Sequence, residues 1–592
     1  MTSNGPPPAR RSTLLLGALL LLAALAFVTG LGEAPIERAE IYFLDAGRAM
    51  VERGDWLVPY YRGEPFYDKP PLTYWLIAAS FDRFGPSLFA GRLVAALLAL
   101  LTLGAAFAVA RRLLPAEGRE AAAFYATAIL ATSYAFVSFA RLTMSDMALT
   151  LFTLTAGFAY LAAEAEGRPV WLAVCGALLG LGFLTKGPIA WVYFFALLAA
   201  VILVERRLPR IFNGWGLLGT LLAVGIGLSW FVLVYLREGS EPLEWFFLRE
   251  NLQRFAASTY DADEPFWFYG FVYAVEGLPW SLLAVPALVH TFGPRGSRLL
   301  RVVAVWAALM LVPLSLSRGK IDYYLLPVMP PLALVIGAYL GAGAPSTRTM
   351  RLFSLVSAAL LIGALFFPML PAPFAPGAES LRVFHTALLV AAVLCVVAAI
   401  RPRVTAVVSV VSASVLGAAL YLFGAIVPAY RSAQPTEAFL DHIARERVFA
   451  PDLKVAVCDD SLRLQRDILF TLRAPVMEEC QLWALASSSR KYLLIVTAAQ
   501  EKSLRSSPAI RHIATLDHLP ADVTRIGTLL RGAQVSPVGL LANFATADPV
   551  ARWKRNREFK RWLDTPEGQK WNEDRLVREE ERDRALRKAG LK

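Results

Sequence analysis

Apolar residues run in long unbroken stretches through about the first 430 positions of this chain, without the alternation of a half-buried strand. Stretches of about 18 or more such residues can cross a hydrocarbon core. They fall near 13–28, 89–110, 120–139, 146–164, 169–185, 187–204, 214–236, 266–290, 300–316, 323–343, 352–371, 382–400 and 404–428, which predicts about 13 transmembrane helices. The first follows a polar start carrying Arg10 and Arg11 and shows no clear cleavage site, so it reads as an uncleaved span with its N-terminus in the cytoplasm.

The short loops agree with that threading. Alternate loops carry Arg111, Arg112 and Arg119; Arg168; Arg206, Arg207 and Arg210; Arg295, Arg298 and Arg301; Arg348 and Arg351; and Arg401 and Arg403. Arginine in every second loop is the charge bias of cytoplasmic loops. The opposite loops are mixed in charge, and two are long, about 31–88 and 237–265. An odd span count places the C-terminal part outside, in the periplasm of a Gram-negative cell.

Two polar regions interrupt or follow the spans. In the first outer loop, residues 31–88, Ile41–Val51 and Leu72–Phe84 read as amphipathic helices suited to a membrane interface, the second opened by Pro70 and Pro71. Beyond about residue 430 the pattern shortens: Lys454–Cys458 and Lys491–Val496 read as strands, Thr436–Arg447 and Ser461–Leu472 as helices. The chain therefore divides into a transmembrane domain (1–430), a small soluble α/β domain (431–548) and a charged helical tail (549–592).

Composition narrows the class. Of 592 residues 56% are hydrophobic and 18% charged, and mean hydropathy is +0.50; a soluble domain carries about 25% charged residues. Much of the +12 net charge sits in the short loops, so it sets topology and gives no sign of nucleic acid. Four cysteines are too few for a disulfide scaffold. Cys175 and Cys395 fall in spans; Cys458 and Cys480 share the outer α/β domain and are expected to form a disulfide.

An ionisable residue at a membrane boundary costs free energy to hold, so such residues are candidates for function. They cluster at span ends on the outer side. Glu37 and Glu40 share one face of a helix start, or simply favour its dipole. Asp68 and Lys69, after Tyr67 and before the double proline, are either a site or a plain ion pair. Asp146 is either a reactive acid or the N-cap of the next span. Lys186, presented by the turn before Gly187 and Pro188, opposes the loop charge bias and so points to anion binding. Glu250, Asn251 and Arg254, then Arg318, Lys320 and Tyr324, complete the outer set. Cations suit a phosphate, and a carboxylate can position or deprotonate an acceptor.

The ordered motifs GDWLVPYYRGEPFYDKPPLTYW from Gly54, RLTMSD, LGFLTKGP, ENLQRF, PFWFYG with GLPW, and SLSRGKIDYYLLPVMPPLALVIG resemble the aminoarabinose transferases that modify lipid A, and more broadly the protein O-mannosyltransferase superfamily. The resemblance covers about residues 10–345. It implies a polytopic α-helical GT-C fold and an inverting glycosyltransferase using a polyprenyl-phosphate sugar, with undecaprenyl phosphate the expected carrier, at the outer face of the bacterial inner membrane. The acceptor is a lipid such as lipid A, a glycan or a protein. Glu40, with Glu37 as substitute, takes the place of the catalytic carboxylate, and Asp146 matches the second acid. Lys69, Lys186 and Arg254 match positions that meet phosphate or hold the site, and Arg318 and Lys320 are placed with them. Tyr67, Asp68, Glu250, Asn251 and Tyr324 are expected to support the site. No cofactor is required; a divalent metal stays an open expectation, and Asn251, where the aminoarabinose enzymes have a histidine, weighs against it and against the exact sugar.

Two other classes compete. A transporter or flippase of lipid-linked sugars would place broken helices and charges near the bilayer midplane. A membrane assembly or receptor protein would bind partners through the α/β domain.

Overall fold

A computed structural model describes residues 9–37, 39–114, 116, 118–253, 255, 264–365 and 378–428, and beyond these 431, 443, 454–458, 470, 476–477, 492–504, 511–518, 536–542, 566 and 569. The chain forms two compact units: Met1–Gly32, Tyr42–Ile362 and Ala387–Leu420 make the first, and Glu33–Ile41, Gly363–Thr386 and Tyr421–Lys592 the second.

The first unit is helical. In chain order it holds α1 (Ala9–Val28), α2 (Glu40–Arg53, which starts in the second unit), α3 (Leu72–Phe84), α4 (Leu88–Leu113), α5 (Arg119–Ala131), α6 (Tyr134–Phe139), α7 (Ser145–Glu166), α8 (Val170–Lys186), α9 (Ile189–Glu205) and α10 (Gly214–Glu238), followed by helices up to Val404–Tyr421. Among the described residues seven helices are long and apolar enough to cross a membrane, or eight if the bent pair Phe268–Glu276 and Trp280–Phe292 counts as one span. The segments near 169–185 and 187–204 form helices of 17 residues each. The segment near 120–139 is broken at Thr132 and Ser133, whose hydroxyls donate back to the carbonyls of Ala128 (2.6 Å) and Ile129 (2.7 Å). The pair at 266–290 bends by 112° around Gly277 and Pro279. Continuous hydropathy does not reveal such breaks.

Small residues let the spans approach closely, which replaces the hydrophobic drive that lipid does not supply. A Cβ added to Gly176 of α8 would stand 1.9 Å from the Gly219 carbonyl oxygen of α10, and one on Gly337 would stand 2.6 Å from the Ala126 nitrogen of α5. Large apolar side chains such as Leu21, Phe195, Leu217 and Leu236 stay exposed, as lipid-facing residues do. The predicted loop helices appear as α2 and α3, and they pack as part of the unit: a Cβ on Gly47 would meet Ile77 at 2.6 Å, and one on Gly91 would meet Leu44 at 2.4 Å. Between them β1 (Tyr60–Tyr61) and β2 (Glu64–Pro65) form a small hairpin around Arg62 and Gly63, both at positive φ.

Charges sort to the two ends of this bundle. At one end Arg112 pairs with Glu166 through Nη2 at 2.8 Å, and Arg207 pairs with Glu164 at 2.7 Å, joining three of the loops predicted to be cytoplasmic. The other end holds the residues after α6, the α8–α9 turn and the segment before α3.

The second unit contains a five-stranded sheet ordered β4-β3-β5-β7-β6, with β3 Lys454–Val457, β4 Val476–Met477, β5 Tyr492–Thr497, β6 Arg511–His518 and β7 Ser536–Ala542. β3 runs parallel to β4 and β5, and β7 antiparallel to β5 and β6. Val455, Ala456, Leu493, Leu494, Ile495 and Val496 are buried, which explains why these strands read as unbroken apolar runs. The predicted helices Thr436–Arg447 and Ser461–Leu472 lie, apart from Ile443 and Phe470, outside the described residues. So does most of the tail.

Candidate active site

The centre of the site is built by three turns. α8 ends because Gly187 takes a φ of 76° and Pro188 follows; the Gly187 N–H donates to the Phe183 carbonyl at 2.7 Å. Lys186 is the last helical residue, and its Nζ lies 2.5 Å from Asp146 Oδ1. Asp146 stands in the first turn of α7, where the helix dipole favours a carboxylate. It is not the N-cap: Met144 occupies that position, without a side-chain cap. The two candidates that the sequence treats separately are thus one ion pair, with the carboxylate 2% and the lysine 12% exposed. Above the ammonium sit two rings, Tyr324 at 4.4 Å and Tyr323 at 5.4 Å to their centroids. They belong to a 3-10 turn, Asp322–Val328, and Tyr323 also meets Phe139 edge-on at 5.8 Å.

A second group assembles beside it. Lys69 Nζ donates to the Asp68 carbonyl oxygen at 2.8 Å and lies 3.2 Å from Glu250 Oε2. The Asp68 carboxylate accepts from the Trp245 indole at 3.0 Å. Glu250 and Asn251 ride on a wide helical turn, Trp245–Gln253, which Asn251 ties back by donating to the Phe246 carbonyl at 2.7 Å. Phe246 presses on the α8–α9 turn: a Cβ on Gly187 would fall 2.6 Å from its ring, so glycine is needed there for space as well as for φ. Phe246 also joins a buried cluster with Phe183, Leu184, Trp230 and Phe231, against which Tyr67 and Trp75 pack. Burial, with the charges of Glu238 and Tyr60, pushes the Tyr67 hydroxyl up to about 12.

The remaining candidates differ in setting. Glu37 and Glu40 lie in the second unit. The Glu37 N–H donates to Glu40 Oε2 at 2.9 Å and the Glu40 N–H to the Glu37 carbonyl at 3.0 Å. Glu40 is fully buried. Lys320 is buried and donates to the Ser317 carbonyl at 2.8 Å, closing its own loop. Arg318 is exposed, and its N–H donates to the Phe255 carbonyl at 3.3 Å. Arg254 lies outside the described residues. Among the described residues no three or more His, Cys, Asp or Glu side chains group as metal ligands. The Asp68 and Glu250 carboxylates instead accept from Trp245 and pair with Lys69. Cys458 is disulfide-bonded, and Cys175 and Cys395 are free; Cys480 lies outside the described residues.

Sequence reasoning missed three supports. Arg237 at the end of α10 grips Asp55 with two bonds, 3.0 and 2.7 Å. Burial works against the Asp55 charge, yet Arg237 and the N–H groups of Leu57 and Val58 hold its carboxyl below the usual range. Trp230 donates to the Leu57 carbonyl at 2.8 Å and so fixes the same loop. The buried Arg141 donates to the carbonyls of Ala26 and Phe27 at 2.7 and 2.9 Å, and the buried Arg92 to that of Leu31 at 3.1 Å, pinning the end of α1. The signal for Arg237 was present, a charge at an outer span end. That for Arg92 and Arg141 was an arginine inside or beside an apolar run.

Comparison with known proteins agrees with this architecture. The profile of the dolichyl-phosphate-mannose-protein mannosyltransferases matches residues 68–232. An undecaprenyl phosphate-alpha-4-amino-4-deoxy-L-arabinose arabinosyl transferase of Pseudomonas paraeruginosa is 31% identical over 344 residues, 56% of this chain and 62% of that protein. Its counterpart in Pseudomonas aeruginosa strain LESB58 is 32% identical over 303 residues, 50% of this chain and 54% of that protein. The matches thus span less than two thirds of these relatives. The crystal structure of ArnT from Cupriavidus metallidurans bound to undecaprenyl phosphate superposes with a TM-score of 0.69 at 21% identity, covering 91% of this chain and 99% of that one. The resemblance read from the motifs is matched by these relatives over part of their length, and the chain carries the GT-C fold of a multi-pass membrane protein.

Proposed function

We propose that this protein is an inverting glycosyltransferase that moves a sugar from a polyprenyl-phosphate donor, with undecaprenyl phosphate as carrier, to a lipid A-like, glycan or protein acceptor. The observation that carries the reading is the pairing of Lys186 with Asp146 and of Lys69 with Glu250 around one packed turn. Two ammonium groups at the end of the bundle opposite the arginine-rich loops suit the phosphate of a membrane lipid. The names of the relatives point to the same donor class.

The chemistry follows from charge. The sugar C1 becomes positive as its bond to phosphate oxygen breaks. Lys186 and Lys69 stabilise the departing polyprenyl phosphate. Tyr323 and Tyr324 present their ring faces to Lys186, which keeps its ammonium in place without neutralising it. A carboxylate, Glu40 or Asp146, orients the acceptor or takes its proton. A phosphate acceptor needs no strong base. The site then faces outward, with the N-terminus cytoplasmic and the sheet of the second unit on the outer side of the inner membrane.

A flippase needs charges near the midplane, and the paired lysines stand at helix ends instead. The test is mass spectrometry of lipids, glycans and glycoproteins from cells with and without the gene. One sugar-bearing species is expected to vanish without the gene, and the purified protein to restore it from a polyprenyl-phosphate sugar. An unchanged profile with failed reconstitution sinks the proposal.

A further inference from the structure

We propose that Glu250 is the exchangeable counter-charge of Lys69 and drives release of the spent lipid phosphate; this rests on the glycosyl-transfer reading above. Each lysine that would meet the donor already faces a carboxylate, Lys69 at 3.2 Å and Lys186 at 2.5 Å. The two pairs are neighbours, because Phe246 packs on Gly187 and Glu250 follows it on the same helical turn. They differ in depth. Asp146 is 2% exposed, whereas Glu250 and Lys69 are 18% and 22% exposed. Parting Lys69 from Glu250 leaves both groups in reach of water. Parting Lys186 from Asp146 strands a buried charge, which costs far more.

Transfer changes the charge of the lipid. The donor is a phosphodiester with one negative charge. When the C1–O bond breaks, the electron pair stays on the phosphate oxygen, the acceptor oxygen bonds to C1, and the acceptor proton leaves to solvent. The product is a monoester whose second ionisation lies near about pH 6, so it is mostly a dianion at neutral pH. Two lysines alone would hold that product more tightly than the substrate. Glu250 competes for Lys69 and offsets the added charge, so the spent carrier leaves.

The test uses the full chain in lipid nanodiscs near about pH 7.5, where the monoester is a dianion. Binding of undecaprenyl phosphate is compared with that of its methyl diester, which keeps one charge. Glu250→Gln is expected to tighten undecaprenyl phosphate by about tenfold and the diester by about two- to threefold. In turnover it should lower kcat and KM together, whereas loss of mere support lowers kcat/KM. Glu250→Asp keeps the charge and should tighten undecaprenyl phosphate less than Glu250→Gln does. Unchanged or weaker binding by Glu250→Gln, with the wild type binding normally, overturns this inference alone. Failure of the wild type to bind undecaprenyl phosphate overturns the donor reading as well.

Discussion

Lys186 and Asp146, forty residues apart, meet at 2.5 Å where the end of α8 faces the start of α7. The carboxylate is almost fully buried, so removing the lysine leaves a charge with no compensation. Breaking such a pair from one side costs about 3–5 kcal/mol. Lys186→Ala is therefore expected to destabilise the protein more than Lys186→Ala combined with Asp146→Asn, with a coupling of about 2 kcal/mol in thermal unfolding in detergent. Lys186→Arg should keep most of the stability and part of the donor affinity. Additive effects of the two changes would remove the pair from the account.

Lys69 and Asp68 are adjacent in sequence, but their side chains do different things. Lys69 uses the Asp68 main-chain carbonyl and the Glu250 carboxylate, while the Asp68 side chain accepts from Trp245. An asparagine at 68 keeps an oxygen for Trp245 and leaves the carbonyl untouched. Asp68→Asn is thus expected to cost less than about 1 kcal/mol of stability. Lys69→Met, which removes the cation, should weaken undecaprenyl-phosphate binding by about tenfold or more. Equal loss of stability in both variants, with lipid affinity unchanged, would return Lys69 to the role of a plain ion-pair partner.

What the sequence showed, and what it hid, follows from the reach of each signal. Span hydropathy located the helices, and Pro70-Pro71 and Gly187-Pro188 marked where α3 and α9 begin. The acids and bases were legible as charges at outer span ends. Their partners were not, because Lys186 with Asp146 and Lys69 with Glu250 are contacts between distant segments that no local spacing encodes. Asp146 looked like a cap because acids in a first helical turn usually are. Arg237 escaped notice although it ends α10 by the same rule that picked out Lys186, and its Asp55 partner was hidden within the most family-like string.

Glu40 tests the catalytic assignment cleanly. Its Oε2 accepts the Glu37 N–H at 2.9 Å, and the amide oxygen of a glutamine can do the same. Glu40→Gln therefore keeps this bond and the side-chain size while removing the charge. We expect transfer to fall at least about 100-fold, the scale of a lost general base, with the melting temperature nearly unchanged. The Glu37 N–H, which a glutamine keeps, makes the bond to Glu40, so Glu37→Gln should lower turnover far less than Glu40→Gln. The opposite outcome, normal turnover in Glu40→Gln and loss in Glu37→Gln, moves the role to Glu37.

The sheet of the second unit supplies the last test, which also reports topology. Cys458 follows β3, its N–H bonded to the Ile495 carbonyl at 2.8 Å, and it is disulfide-bonded. Cys175 and Cys395 are free, which leaves Cys480 among the four cysteines of the chain as the expected partner. A disulfide persists only in an oxidising compartment, so its presence in protein taken from cells places this unit outside the cytoplasm and supports an odd number of spans. Closing a loop of roughly 20 residues stabilises by about 3 kcal/mol in the chain-entropy account. Cys458→Ser and Cys480→Ser should then each lower the stability of the unit, and the double variant should lower it no further, since either change opens the same loop. Peptide mapping without reduction should show the two cysteines linked. Labelling of both thiols by a maleimide in unreduced, denatured protein would deny the bond and with it this argument for the outer location.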